Sequence, residues 1–172
     1  DIACTSFANS IKGFNTDVTV RDIVSTYVYP NTLVVYEVTG EILKKALSRS
    51  AEYFYYDGEE VRISDSFLKP KVEHYNYDYF SNIEYTFTLN SNGINTVDSV
   101  IFNGKEISDT DKFTLVMNNY RASGAGGYEF FKYCKIIKEI QIEMPEIIIN
   151  YFEKNKKVIV DKTKYIHVKL NK

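Results

Sequence analysis

From Thr32 to Val38 the chain passes through a stretch rich in Val and Leu. From Thr39 onward its apolar residues switch to three- and four-residue steps, at Leu43, Ala46, Leu47, Ala51 and Phe54. The first pattern reads as a buried strand, and the second places its apolar side chains along one face of a helix. Thr39-Gly40 lies between the two as a cap, while Lys44, Lys45, Arg49 and Glu52 fall mostly off the apolar face. A strand that feeds directly into an amphipathic helix restricts the chain to folds in which a helix packs on a sheet.

Around this unit the signals are mixed. Thr19-Val20-Arg21-Asp22 has the form of a capping box and predicts a short helix to about Thr26, with a turn at Tyr27-Val28-Tyr29-Pro30-Asn31. Tyr53 to Lys71 is polar and irregular and reads as a surface connection. Tyr85, Phe87 and Leu89 alternate with Thr86 and Thr88 as a half-buried strand does. Asn103-Gly104, inside Val100 to Ile107, occupies the position of a type I′ hairpin turn, and Phe113 to Met117 reads as a further strand. Pro145 opens a helix over Glu146 to Lys154, and Tyr165 to Leu170 alternates as a closing strand. This mixture of helices, hairpins and isolated strands predicts an α+β fold, with helices layered on a mixed β-sheet. A length of 172 residues fits a single domain spanning 1–172.

A net charge of −2 argues against a surface dedicated to a nucleic-acid polymer or an anionic membrane. No apolar run is long enough to span a bilayer as a helix. The chain opens on Asp1 with no secretory signal, which reads as a piece of something longer. Cys4 and Cys134 fit no metal spacing, and one disulfide or two thiols both remain open. The aromatic content is unusual in kind, with 15 Tyr, 11 Phe and no Trp. Such residues suit strands, and Tyr also suits flat ligands, because its ring stacks while its hydroxyl stays wet.

Catalytic machinery is not legible here. A two-metal phosphatase site needs several His and Asp ligands around ions about 3.5–4 Å apart. The only histidines are His74 and His167, and no H-x-x-x-H, H-E-x-x-H or C-x-x-C pattern occurs. Neither a G-x-S-x-G elbow nor a phosphate-binding G-x-x-x-x-G-K-[ST] loop is present. His74 reads as a structural residue or a minor wall of a site, and His167 lies within a predicted strand. No residue is assigned a catalytic or metal-binding role.

Two segments do carry ligand-binding chemistry. One is the tyrosine-bearing turn Tyr27 to Leu33; the other is Asn118-Asn119-Tyr120-Arg121-Ala122-Ser123-Gly124-Ala125-Gly126-Gly127, where a strand ends in polar and small residues. Glycines allow close backbone approach, paired Asn side chains supply donors and acceptors, and facing aromatics can sandwich a base. Packing tyrosines and an ordinary glycine turn would produce the same pattern.

At these positions the sequence resembles a known family. Asp17-Val18-Thr19-Val20-Arg21-Asp22, Tyr29-Pro30-Asn31-Thr32-Leu33 and Thr39-Gly40-Glu41 are followed in order by His74-Tyr75-Asn76-Tyr77-Asp78, Phe102-Asn103-Gly104-Lys105 and Asn118-Asn119-Tyr120-Arg121-Ala122-Ser123-Gly124. Together they resemble the C-terminal domain of the 5′-nucleotidase family from about Asp1 to Tyr133. The forms around Tyr29 and Tyr120 look like its 2′,3′-cyclic-nucleotide 2′-phosphodiesterase/3′-nucleotidase branch. The resemblance implies a nucleoside or nucleotide ligand with its base clamped between Tyr29 and Tyr120. Asn31, Asn76, Asn118, Asn119, Arg121 and Gly124 are the further substrate-binding residues it implies. It places a divalent metal pair in an N-terminal metallophosphoesterase domain of the same polypeptide, with no cofactor in this domain. It also implies export to the periplasm, cell wall or medium.

One departure stands out. Many 5′-nucleotidases carry an Asp in the glycine loop after the second aromatic, and here Gly126 takes that place. This counts against a plain 5′-nucleotidase or UDP-sugar hydrolase, which remain alternatives beside a non-catalytic interaction module on the same fold. The family's arginine-bearing segment has no clear match between Ser6 and Phe14, so no phosphate contacts are assigned. The segment 134–172, outside the resemblance, reads as a lineage-specific cap.

Overall fold

The computed structural model describes all residues, Asp1–Lys172. In chain order the elements are β1 (Ile2–Ser6), α1 (Val20–Thr26), β2 (Leu33–Thr39), α2 (Gly40–Ala51), β3 (Phe54–Tyr56), β4 (Val61–Ile63), β5 (Asp78–Ser81) and β6 (Glu84–Asn90). The second half contributes β7 (Thr96–Phe102), β8 (Lys105–Glu106), β9 (Lys112–Asn118), α3 (Asn119–Ala122), β10 (Lys135–Ile140), α4 (Met144–Lys154) and β11 (Ile166–Asn171). Single 3-10 turns lie at Asp65–Phe67, His74–Asn76 and Glu129–Tyr133. The fold is α+β, with a five-stranded sheet ordered β10-β2-β9-β1-β5 and a four-stranded sheet ordered β11-β6-β7-β8. Strands β3 and β4 pair as a hairpin.

The local signals act where expected. Thr19 caps α1 reciprocally: the Asp22 amide donates to its hydroxyl, and its own amide donates to the Asp22 carboxylate at 2.8 Å. Asn103 and Gly104 adopt φ of +50° and +76°, the left-handed pair a type I′ turn requires. Thr39 caps α2 by accepting from the Ile42 amide, and Leu43, Ala46, Leu47 and Ala51 are fully buried. They join one core of 23 buried residues drawn from α2 and from both large sheets.

Two expectations need correction. Phe54 continues the apolar spacing of α2 but lies in β3, because the helix ends at Ala51. The Asn95 side chain donates to the carbonyls of both Ala51 and Phe54, at 2.8 and 2.7 Å, and so satisfies the groups that a longer helix would have paired. Tyr53 to Lys71 is likewise more than a surface connection. It holds the β3–β4 hairpin and buries Tyr56 and Phe67, and the Arg49 guanidinium lies 4.5 Å over the Phe67 ring. A polar sequence can bury isolated aromatics once long side chains cover them.

The segment after Tyr133 is built into both sheets, as β10 lies along β2 and β11 runs parallel to β6. It also supplies α4, which packs on α1.

The start of α2 carries a sharp steric constraint. A Cβ on Gly40 would lie 2.0 Å from the Ser108 carbonyl oxygen, and the Gly40 amide donates to Asp111 O at 2.8 Å. Gly40→Ala therefore has to push the 108–111 turn away. We expect a loss of about 1–3 kcal/mol in denaturant unfolding, the cost of overpacking. A neutral result would mean that the turn moves freely.

Candidate functional site

The topology brings four chain segments to one end of the five-stranded sheet. Strands β2 and β9 are antiparallel with Leu33 opposite Asn118, so the turn before β2 and the turn after β9 emerge side by side. Strand β1 runs parallel to β9 and therefore ends at the same edge, at Ser6. Ser6 lies opposite Asp78 on antiparallel β5, which adds the segment just ahead of β5. Between these ends lies a cleft of about 410 Å³ lined by Ser6, Tyr29, Asn31, Lys71, Tyr75, Asn118 and Tyr120. A smaller pocket of about 190 Å³ opens beside it, sharing Ser6, Tyr29, Asn31, Tyr75 and Asn118 and adding Phe7, Ile11 and Tyr27.

Tyr29 and Tyr120 both line the cleft, 43 % and 38 % exposed, so each keeps ring surface outside the core. Partial burial raises the Tyr120 hydroxyl above its ordinary value, so it stays protonated and donates to Asn76 Oδ1 at 3.3 Å. Asn118 is a lining residue whose orientation is set by the backbone. Its Oδ1 accepts from the Arg121 amide at 2.8 Å as the cap of α3. Its Nδ2 makes no hydrogen bond within the protein and is not among the buried polar atoms, so it is free to donate from this lining residue. Asn31 lines the same cleft and donates to the Tyr27 hydroxyl at 3.3 Å.

Four other residues predicted to contact the ligand lie elsewhere. Asn119 Oδ1 accepts from the Thr32 amide at 3.1 Å, and its own amide donates to Thr32 O, which latches the two turns together. Gly124 has φ +83° and would place a Cβ 2.9 Å from the Glu129 Cα, so its role is to make the turn. Asn76 is buried, and its Oδ1 accepts from the Tyr120 hydroxyl.

Arg121 differs most from its expected role. Its side chain is 2 % exposed and forms an ion pair with Asp78, which is 1 % exposed. Nε donates to one carboxylate oxygen and Nη2 to the other at 3.2 Å; Nη2 also reaches Tyr75 O at 2.9 Å, and Nη1 donates to Ala125 O. The guanidinium lies 4.1 Å over the Tyr128 ring. Burial raises the Asp78 carboxyl above its ordinary value, and Arg121 pulls against that rise. Burial also works against the Arg121 charge, but Asp78 outweighs it and holds the guanidinium above its ordinary value. Donors from one guanidinium to both carboxylate oxygens match an ionised pair.

The cleft also contains residues that the sequence did not single out: Ser6, Lys71 and Tyr75. Tyr75 stands edge-on to Tyr120 with ring centres 6.2 Å apart. It belongs to the His74-to-Asp78 motif, where the histidine drew attention instead. His74 Nδ1 pairs with the Tyr53 hydroxyl at 2.8 Å, and the His74 amide donates to Asn9, a structural position beside the site. A groove of similar size along α2 is unlike the cleft, because its cations Lys44, Lys45 and Arg49 pair with Asp109, Glu41 and Glu52. No group of three or more His, Cys, Asp or Glu is placed to hold a metal, and Cys4 and Cys134 are free thiols.

A family model described as the 5′-nucleotidase C-terminal domain matches residues 1–133. The chain belongs to that family. The trifunctional nucleotide phosphoesterase protein YfkN of Bacillus subtilis is 30 % identical over 154 residues, which covers 83 % of this chain and 10 % of YfkN. A 2′,3′-cyclic-nucleotide 2′-phosphodiesterase/3′-nucleotidase of Haemophilus influenzae is 31 % identical over 125 residues, 62 % of this chain and 18 % of that protein. Among solved structures, a Staphylococcus aureus 5′-nucleotidase in complex with alpha-ketoglutarate superposes with a TM-score of 0.88 at 32 % identity. That match covers 99 % of this chain, the segment after Tyr133 largely included, and 33 % of the Staphylococcus protein. The chain thus spans between a tenth and a third of the length of these relatives. No helix is long and apolar enough to cross a membrane.

Membership of the 5′-nucleotidase family sharpens the meaning of Gly126. A Cβ there would come 2.3 Å from Asn76 Oδ1 and 2.5 Å from Arg121 Nη1, at φ +75°. Asn76 and the buried guanidinium occupy the space an Asp side chain would need. Gly126→Asp is therefore expected to destabilise by about 1–3 kcal/mol through overpacking, without creating a ligand contact. Thermal unfolding checks the first part; tighter nucleoside binding in this variant would contradict the second.

Proposed function

We propose that the cleft binds a nucleoside or nucleotide with its base between Tyr29 and Tyr120, as the specificity domain of a 2′,3′-cyclic-nucleotide 2′-phosphodiesterase/3′-nucleotidase. The observation that supports this most directly is the placement of two partly exposed tyrosines on one cleft, at the adjoining ends of β2 and β9. Stacking is tolerant, since every base has a π-face. The Asn118 Nδ2 donor is suited to an acceptor such as a ribose oxygen or a base carbonyl. Ligand contact falls to Tyr29, Tyr120, Asn31 and Asn118, and Asn76, Asn119, Arg121 and Gly124 act by holding these walls.

The donor set of this chain does not suit a metal pair, so no catalytic step is assigned to it. In the proposed protein the divalent metals belong to an N-terminal metallophosphoesterase domain of the same polypeptide. That domain would activate water and stabilise the charge of the transition state. Residues 1–172 then form one substrate-binding domain, and the whole protein is exported, as its family membership implies.

Calorimetric titration of the chain with adenosine, 3′-AMP and 2′,3′-cyclic AMP tests the reading. Saturable binding of all three is expected, with guanosine and uridine within about tenfold of adenosine because stacking dominates. No saturation up to millimolar nucleoside would sink it. Metal-dependent hydrolysis by this chain at enzyme-like rates would overturn the division of labour.

A further inference from the structure

The segment ahead of β5 places one carboxylate against two residues that line the cleft, Lys71 and Tyr75. Glu73 Oε1 accepts from the Tyr75 hydroxyl at 3.2 Å and lies 3.4 Å from Lys71 Nζ. Glu73 Oε2 accepts from Asn76 Nδ2 at 2.9 Å. Tyr75 and Lys71 line the cleft, and Asn76 in turn receives the Tyr120 hydroxyl. We propose that Tyr75 is a third ligand-contacting aromatic of this cleft, and that Glu73 is the positioning residue holding Tyr75 directly and Tyr120 through Asn76. The proposal rests on the nucleoside-binding reading above.

Donor and acceptor identity fixes these orientations. A carboxylate only accepts, so the Asn76 amide must turn its NH₂ towards Glu73 and its oxygen towards Tyr120. The Tyr120 hydroxyl is then the donor to Asn76, and the Tyr75 hydroxyl is the donor to Glu73. Both tyrosines satisfy their hydroxyl protons within the protein, and what they offer a ligand is ring surface. The edge-on geometry of Tyr75 against Tyr120, with centres 6.2 Å apart, gives the cleft a corner that meets the edge of a flat ligand stacked on Tyr120. Lys71, 69 % exposed at the rim, is the one cation lining the cleft, and Glu73 tethers it there.

The Glu73 side chain is 32 % exposed, so removing its carboxylate leaves the buried core untouched. In Glu73→Gln the new NH₂ group cannot face Nδ2 of Asn76. The remaining oxygen therefore turns to Asn76, which keeps the Asn76–Tyr120 bond, and the NH₂ turns to the Tyr75 hydroxyl and Lys71, which lose their carboxylate partner.

The test pairs a ligand-free readout with a titration on wild type, Glu73→Ala, Glu73→Gln, Tyr75→Phe and Tyr75→Ala. Ring-to-ring NOEs between Tyr75 and Tyr120 report the wall, adenosine titration reports the ligand, and thermal unfolding checks that each variant is folded. Expected results are loss of the NOE in Glu73→Ala and at least fivefold weaker adenosine binding in Glu73→Ala and Tyr75→Ala. Tyr75→Phe, which keeps the ring and loses the tether, should fall between Tyr75→Ala and wild type. Unchanged NOEs and unchanged binding in folded Glu73→Ala would overturn the positioning role while leaving the Tyr29–Tyr120 clamp standing. If wild type binds no adenosine but Glu73→Ala still loses the NOE, the positioning role holds. The ligand role of Tyr75 then falls together with the nucleoside reading.

Discussion

Replacing Arg121 by Met is expected to remove about 3–5 kcal/mol of stability, because it leaves the Asp78 carboxylate buried without a partner. Domains of this kind are stable by only about 5–15 kcal/mol, so the variant should lose between about a fifth and all of its margin against unfolding. The pair lies under the cleft, between β5 and α3, where neither charge reaches water. Arg121 also donates to Tyr75 O and Ala125 O, so its loss frees the segment ahead of β5 and the glycine loop together. The decisive comparison is the double variant Asp78→Leu/Arg121→Met in urea. With both charges gone, no ion remains unpaired, and at least half of the lost stability should return. A single variant that loses less than about 1 kcal/mol would show that the pair is more hydrated than its burial implies.

Tyr29→Ala and Tyr120→Ala should each weaken adenosine binding by about 5- to 150-fold, the loss of one stacking face at roughly 1–3 kcal/mol. The double variant should bind below detection. Tyr120→Phe keeps the face and loses only the 3.3 Å bond to Asn76, so it should stay within about threefold of wild type. Both tyrosines are partly exposed, so their truncation should shift thermal unfolding little. Binding unchanged in either alanine variant would remove that ring from the site. This series separates a base clamp from a cleft that merely has aromatic walls, since wall residues off the stacking axis would lose little.

Local chemistry was legible wherever the deciding interactions are close in sequence. The Thr19–Asp22 capping box and the Asn103-Gly104 turn depend on contacts within one turn of chain, and the apolar face of α2 is written in its three- and four-residue spacing. The end of α2 was not legible, because the group that terminates it, Asn95, is 44 residues from Ala51. That Tyr29 and Tyr120 line one cleft was not legible from periodicity or spacing. Its physical cause is the register of β2 against β9, a long-range fact.

The sequence alone determined the α+β class, the position of most elements and the family, because periodicity, capping and motif order are written along the chain. Tertiary structure alone decided which polar residues face the cleft. Arg121 and Asn118 are both polar residues at the end of β9 and look equally suited to a ligand. One turns inward to Asp78, 43 positions away, and the other leaves an amide donor at the cleft wall. A buried charge must find its counter-charge wherever the topology puts it, and only the pairing of β9 with β1, and β1 with β5, brings Asp78 beneath Arg121.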